Sequence, residues 1–320
     1  MSTLALGSET TSAQGNSDPR VFPRDAIVYG NTLSEWAVRY LQWWVAVPAS
    51  VSPSLDPTGA HCGERQSGPV WFLADPSSGF DTFHCTVPAG KAIMLTLGGA
   101  YFGASVYDCE PTNPGVLCNL ADLRVLAAEA TDHMALTAVV DGRPLEHLLE
   151  YRVQTGVFDV TNPSDPNPWD DPPGTFGPNV ADTYNAILKP LPLGEHVIYL
   201  KTEFTGGPYA GTTFEATYHV TIVDPNAPGA LTLALRAEST AGAALPVTFT
   251  VTQPAATTLS SPGALSLQPF EGFALSVPQF AGNCAFVGWL NPATGFLNAE
   301  RVLSGNFGAS QERVARFRCP

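Results

Sequence analysis

Hydrophobic and polar positions change rhythm along this chain, and each rhythm predicts a different element. From Thr32 onward, apolar residues fall at Leu33, Trp36, Ala37, Tyr40, Leu41, Trp44 and Val45, the spacing that lays a stripe along one side of an α-helix. Thr32-Leu-Ser-Glu35 is a capping box at its start, and Pro48 stops it. The pattern predicts a helix near 32–46 with its stripe packed on a sheet. Trp43 lies beside that stripe and reads equally as core or as a platform for a ligand. A second stripe, Leu120, Leu123, Leu126, Ala127 and Ala130, predicts a helix near 119–133.

Elsewhere the rhythm is that of strands. Val70–Leu73, Thr82–Val87 and Lys91–Leu97 are short apolar runs parted by turn residues at Pro76–Gly79 and Pro88–Gly90. Ala135–Val140 runs into the tight-turn pair Asp141-Gly142. Further strands are expected at Val157–Val160, His196–Phe204 and Thr213–Val223, the last two alternating as a sheet with one wet face does. Between them, the prolines of Asn162–Gly174 preclude regular structure and predict a long loop holding Trp169. The Pro/Gly/Asn cluster Asp224–Gly229 marks a boundary. The expected organisation is a flexible arm at 1–24, a domain at 25–224, a linker at 225–229 and a small domain at 230–320. The fold class is mainly β: a jelly-roll-like β-sandwich with two peripheral helices, followed by a small antiparallel β-sandwich.

Composition narrows the partners. The formal net charge is -14, and the only lysines are Lys91, Lys189 and Lys201. Such a surface repels phosphate backbones and anionic headgroups, so nucleic acid and membrane surfaces are excluded as expected partners. No apolar run is long enough to cross a bilayer. The first residues, Met1–Gly7, show neither a basic region nor an apolar one, so no export signal is visible. The cysteines nevertheless point outside the cell. Cys62, Cys85, Cys109, Cys118, Cys284 and Cys319 lack zinc-ligand spacing. Six cysteines allow fifteen pairings, of which spacing favours Cys62–Cys85, Cys109–Cys118 and Cys284–Cys319. Export is then reconciled with the N-terminus by a mature-form start or a misassigned gene start.

Two resemblances agree with export. Residues from about Tyr29 to Val223 resemble a widespread family of bacterial secreted proteins without an established activity. The likeness rests on Glu35-Trp36, Gln42-Trp43-Trp44, Asp56-Pro-Thr-Gly59, Cys62, Gln66-Ser-Gly-Pro-Val-Trp-Phe-Leu73 and Cys85-Thr-Val-Pro-Ala-Gly-Lys91. It extends to Tyr151-Arg-Val-Gln154 and Leu191–His196. The chain departs from that pattern at Leu95-Thr-Leu97, where the family has Phe-Pro-Ile. From about Leu231 onward, Ser261-Pro-Gly263, Phe286-Val-Gly-Trp289 and Val314–Phe317 resemble bacterial extracellular β-repeat modules, which serve as stalks or adhesive spacers.

The richest polar cluster is Asp56–Gln66, carrying Asp56, His61, Glu64, Arg65 and Gln66. With Glu35, Trp43 and Trp71 it offers the mixture of acids and aromatic faces that sugar sites use. The same residues have structural readings: Glu35 caps its helix, Asp56 caps a turn and Gln66 satisfies backbone groups. Asp56 and Glu64 are the candidate acid/base pair should they face one another across a cleft. The best-marked hydrolase, protease and nucleotide motifs are missing from the sequence. Asp165, Asn167, Asp170 and Asp171 could supply oxygen ligands to calcium, the one cofactor considered, although EF-hand spacing is lacking and a solvated acidic loop is the alternative. The leading expectation is a secreted or surface protein that binds carbohydrate. The alternatives are a polysaccharide hydrolase or lyase using Asp56 and Glu64, and a self-associating surface or fibre protein.

Overall fold

The computed structural model describes residues 18–75, 82–103, 119–225, 231–268, 270–293, 295, 297–305 and 310–320. Over these the chain is mainly β, with two α-helices and four sheets. Helix α1 (Leu33–Ala46) begins at the expected capping box. The Thr32 hydroxyl accepts from the Glu35 N–H, and the Glu35 carboxylate accepts from the Thr32 N–H. Helix α2 (Leu120–Thr131) is capped by the Asn119 side chain, which accepts from the N–H groups of Ala121 and Asp122.

The first body holds β1 (Val70–Phe72), β2 (Thr82–Pro88), β3 (Ala92–Gly103), β4 (Met134–Val140) and β5 (Arg143–Pro144). It continues with β6 (Arg152–Gln154), β7 (Phe158–Asn162), β8 (Gly174–Leu188), β9 (Gly194–Phe204) and β10 (Thr213–Val223). One sheet runs β1-β3-β8-β6, with β7 also on β8; the other runs β2-β10-β9-β4-β5. A single core that includes Met94, Leu95, Ile187, Ile198 and Tyr218 unites them with α1. Two pairings, β1 with β3 and β2 with β10, are parallel.

Strand β8 has no counterpart among the strands read from hydropathy, although it pairs with three others. Every residue from Asn179 to Leu188 is buried, so the inside–outside alternation that marks a strand is lost. Its polar residues are satisfied internally: Asp182 takes two bonds from the Arg152 guanidinium and one from Gln154. The N-terminal arm also needs correction. Residues 18–24 are tied down rather than loose, because Val21 is buried and bridges Leu188, while Arg20 donates to the carbonyls of Val140, Arg143 and Pro144.

The second body holds β11 (Leu231–Ser239), β12 (Thr248–Gln253), β13 (Thr257–Ser260), β14 (Gly263–Leu267) and β15 (Phe273–Ser276). It ends with β16 (Phe280–Ala281), β17 (Cys284–Leu290), β18 (Leu297–Asn298), β19 (Val302–Gly305) and β20 (Gln311–Arg318). Its sheets run β14-β11-β20-β17-β16, with β18 on β17, and β13-β12-β15-β19. Phe249, Leu275, Trp289 and Phe317 fill a separate core between them. This body is not wholly antiparallel. Its first and last strands, β11 and β20, lie side by side and run parallel.

Disulfides join Cys62 to Cys85 and Cys284 to Cys319, with Cα separations of 5.3 Å and 4.1 Å. Each closes a loop in its own body and stabilises it by about 3 kcal/mol on the loop-entropy account. Cys109 and Cys118 lie outside the described residues, as does most of the expected linker. Among the described residues no helix is long and apolar enough to cross a membrane.

Candidate functional site

The loop from Asp56 to Gln66 is held from three directions. The buried Asp56 carboxylate accepts from the Thr58 N–H at 2.9 Å, the Thr58 hydroxyl at 2.5 Å and the His61 N–H at 2.7 Å. Gly59 has φ +81° and sits so close to β2 that a Cβ there would lie 2.5 Å from the His84 carbonyl oxygen, which only glycine tolerates. The Cys62–Cys85 bridge pins the same loop to the same strand. Gln66 then turns its amide onto Phe72, donating to its carbonyl at 2.7 Å and accepting its N–H at 3.0 Å. A side chain thereby pairs the backbone at this point of β1.

The outer face of this loop meets the second body. Asn291 donates from Nδ2 to His61 Nε2 at 3.3 Å, while its Oδ1 accepts from the Ala293 N–H at 3.0 Å. The second bond fixes the amide's orientation, so His61 Nε2 must be an acceptor and the ring neutral. Gln311 donates to the Ala60 carbonyl at 2.7 Å and accepts from Arg313 Nη2 at 2.6 Å; Arg313 Nη1 also donates to the Glu312 carbonyl at 2.8 Å. The buried Arg313 charge is balanced at longer range by Asp56 and Glu64.

These surroundings shift three groups. Burial, with Arg313 adding, lowers the His61 pKa to about 4. Burial raises that of Glu64, against the pull of Arg65 and Arg313. Burial lowers Arg313 to about 10, opposed by Asp56 and Glu64. The seam opens into a cleft of about 320 Å³ lined by Glu64, Arg65, Glu300, Asn291 and Arg313 among others. Asp56 does not line it, being occupied by its three donors, so the candidate acid/base pair does not share this cleft.

The remaining sequence candidates disperse. Trp43 and Trp71 are both buried in the first core, and neither presents a face on which a sugar could stack. Trp43 points inward and donates from Nε1 to the Glu64 carbonyl at 2.9 Å. Its neighbour Trp44, about 100° further round the helix, is the one that reaches the surface layer. Glu35 is spent in the capping box. In the proline-rich loop, Asp165 accepts from Ser50 and Asp171 from Asn167, and Asp170 takes a positive φ. Among the described residues, no three His, Cys, Asp or Glu side chains converge as a metal site. The sequence reading missed Asn291, Gln311 and Arg313, which join the Asp56–Gln66 loop across separations of 230 residues or more.

No protein-family model matches the sequence, and no curated protein matches it. Among solved structures the chain is similar to BcpA, the major pilin subunit of Bacillus cereus, at 11% identity over 59% of this chain, with a TM-score of 0.19. It is also similar to the pilus backbone RrgB from Streptococcus pneumoniae, at 14% identity over 58% of this chain and 71% of that one, with a TM-score of 0.17. The chain spans 57% of the length of the BcpA chain. At such scores the likeness carries no argument about fold or role. Chemistry has to be read from the residues, and here they form a polar joint between two β bodies.

Proposed function

We propose that this chain is an exported surface protein with a structural role, in which two disulfide-pinned β bodies act as one unit and copies associate with one another. The observation that carries this reading is a stretch free of charge. From Thr240 to Phe270 no residue is charged, in a chain whose net charge is -14. Strands β12 and β13 lie within that stretch. Their outward residues form a ladder of hydroxyls in which Thr248 faces Ser260 and Thr250 faces Thr258, all exposed. The outer edge of β13 pairs with no strand among the described residues. Repulsion between acidic copies is weakest at such a face, and an uncharged strand edge is what β pairing between molecules needs. Burial of Trp43, Trp71 and Asp56 takes two stacking faces and one carboxylate from the carbohydrate and hydrolase readings, and leaves them His61 and Glu64 at the cleft.

Light scattering coupled to size-exclusion chromatography, with electron microscopy of the concentrated protein, tests the reading. Assembly should grow with protein concentration, and Thr250→Glu, on the exposed ladder, should hold the protein monomeric. A wild-type protein that stays monomeric at millimolar concentration would sink the proposal.

A further inference from the structure

Two histidines on the outer face of the first body stand together without a task in the fold. Strands β2 and β10 run parallel and in register, which sets His84 directly beside His219. Both strands alternate, with Phe83 and Cys85 or Tyr218 and Val220 turned to the core, so both rings fall on the exposed face. The pairs on either side in the same rows are Thr82 with Thr217 and Thr86 with Thr221, residues that suit a wet strand face. The histidine pair interrupts that threonine ladder. Its rings are stacked, with centroids 5.1 Å apart and planes 17° from parallel. Among the described residues no hydrogen bond or ion pair engages either imidazole, so the protein leaves their ring nitrogens to solvent.

The pair borders two hollows. One, of about 460 Å³, is lined by both rings with Asp141, Glu195 and His196. The other, of about 380 Å³, is lined by both rings with Glu312 and Arg313 of the second body. Three carboxylates against one guanidinium favour a cation there, and Arg313 is turned onto Gln311 and the Glu312 carbonyl. Most of these neighbours are already engaged. His196 meets Asp141 through Nδ1 at 2.8 Å and the Pro192 carbonyl through Nε2 at 2.9 Å, while Glu312 accepts from Arg236 at 2.6 Å. Glu195 is different: it pairs with Thr221, one step diagonally from His219 on the same face.

We infer that His84 and His219 form a two-imidazole site for a divalent cation of the zinc, copper or nickel kind. Imidazole nitrogen suits these ions, whereas calcium and magnesium take oxygen ligands. With zinc–nitrogen distances of about 2.0–2.1 Å, two nitrogens sharing one ion stand no more than about 4 Å apart. Exposed rings on adjoining strands reach that spacing by side-chain rotation alone. Water fills the remaining positions, and the Glu195 carboxylate orients one such water. The site is independent of the association face on β12 and β13, so the two readings fail separately.

The probes are zinc chloride and calcium chloride, titrated into the full chain without an affinity tag while the nitrogen shifts of the histidine rings are followed. Zinc should saturate a single site, half-filled at about 0.1 mM or below, and move His84 and His219 more than His196. Calcium should move neither. His84→Gln and His219→Gln should each weaken zinc binding by about tenfold or more, because one ring alone loses the effective concentration of the other. Both positions are exposed, so an unchanged urea midpoint shows that the fold is intact. His196→Gln, in the same hollow but already engaged, should leave the zinc affinity as it was. Three outcomes would each overturn the inference: no saturable zinc shift at His84 and His219, equal zinc binding by the wild type and the doubly substituted chain, or calcium moving the same rings as strongly as zinc.

Discussion

Buried polar side chains meet two different fates in this molecule. At the seam between the bodies, Asp56, Asn291, Gln311 and Arg313 all find partners within the chain, and the neutral His61 accepts the one bond its neighbour offers. In the first core, the hydroxyls of Tyr40 and Thr96 meet each other and the Asp75 backbone but close no bond of good geometry. Both regions pay desolvation, so the difference lies in what returns for it. Well-made bonds at the seam hold the protein's own parts together; the Tyr40 and Thr96 hydroxyls, closed off from solvent and poorly aligned, contribute less to that. Polar clustering in sequence therefore marks places that need hydrogen bonds, without telling how well the fold supplies them.

The sharpest way to break this contrast is at Arg313. Replacing Arg313 with Met keeps its length but leaves the buried Asp56 without its counter-charge, Glu64 with Arg65 alone and Gln311 without its donor. A loss of about 3 kcal/mol in urea-induced unfolding is expected, as for breaking other buried charge assemblies. A loss below about 0.5 kcal/mol, the usual range for surface positions, would mean that the seam is only a contact between surfaces.

Acidification gives the next largest effect, and its sign follows from the fold. His61 titrates at about 4 in the folded protein against an ordinary 6.5, so its contribution is complete above pH 6.5 and is lost as pH falls toward 4. Protonation also turns its acceptor into a donor facing the Asn291 amide. Glu64 works the other way: its raised pKa adds stability below the ordinary carboxylate value, and that is lost as pH rises through the folded one. The His61 shift alone has a ceiling of about 3 kcal/mol between pH 6.5 and 4, and Glu64 opposes it. The difference between wild type and His61→Gln over this window isolates the effect. Parallel stability curves for the two would show that His61 carries no acid sensitivity.

How much of this was legible in sequence depends on whether the relevant neighbours are local. The α1 cap closes within four residues, so Thr32 and Glu35 announce it. Strands with one wet face, such as β9 and β10, alternate and were readable. The buried β8 does not alternate, and its Asn and Asp residues look like loop. The Asp56–Gln66 cluster was visible, but its purpose was set by partners from the far end of the chain. The stripe placed Trp44 inward and left Trp43 open as core or platform, whereas Trp43 is buried and Trp44 half-buried, because one step along a helix decides which of two adjacent tryptophans faces the core. The parallel pairings were beyond hydropathy altogether, which reports the face of a strand and not its direction.

Two buried tyrosines provide the most direct test of the central contrast. Tyr218 donates from its hydroxyl to the Ala74 carbonyl at 2.7 Å, whereas Tyr40 meets only Thr96 and the Asp75 backbone at poor geometry, and both are almost fully buried in the same core. Tyr→Phe removes only an oxygen in each case. Measured by urea unfolding without added ligand, Tyr218→Phe should cost about 1–2 kcal/mol, because it strands a buried carbonyl, while Tyr40→Phe should be neutral or stabilise by about 1 kcal/mol. Equal losses at the two positions would contradict the account, because the Tyr40 hydroxyl would then be serving the fold just as Tyr218 does.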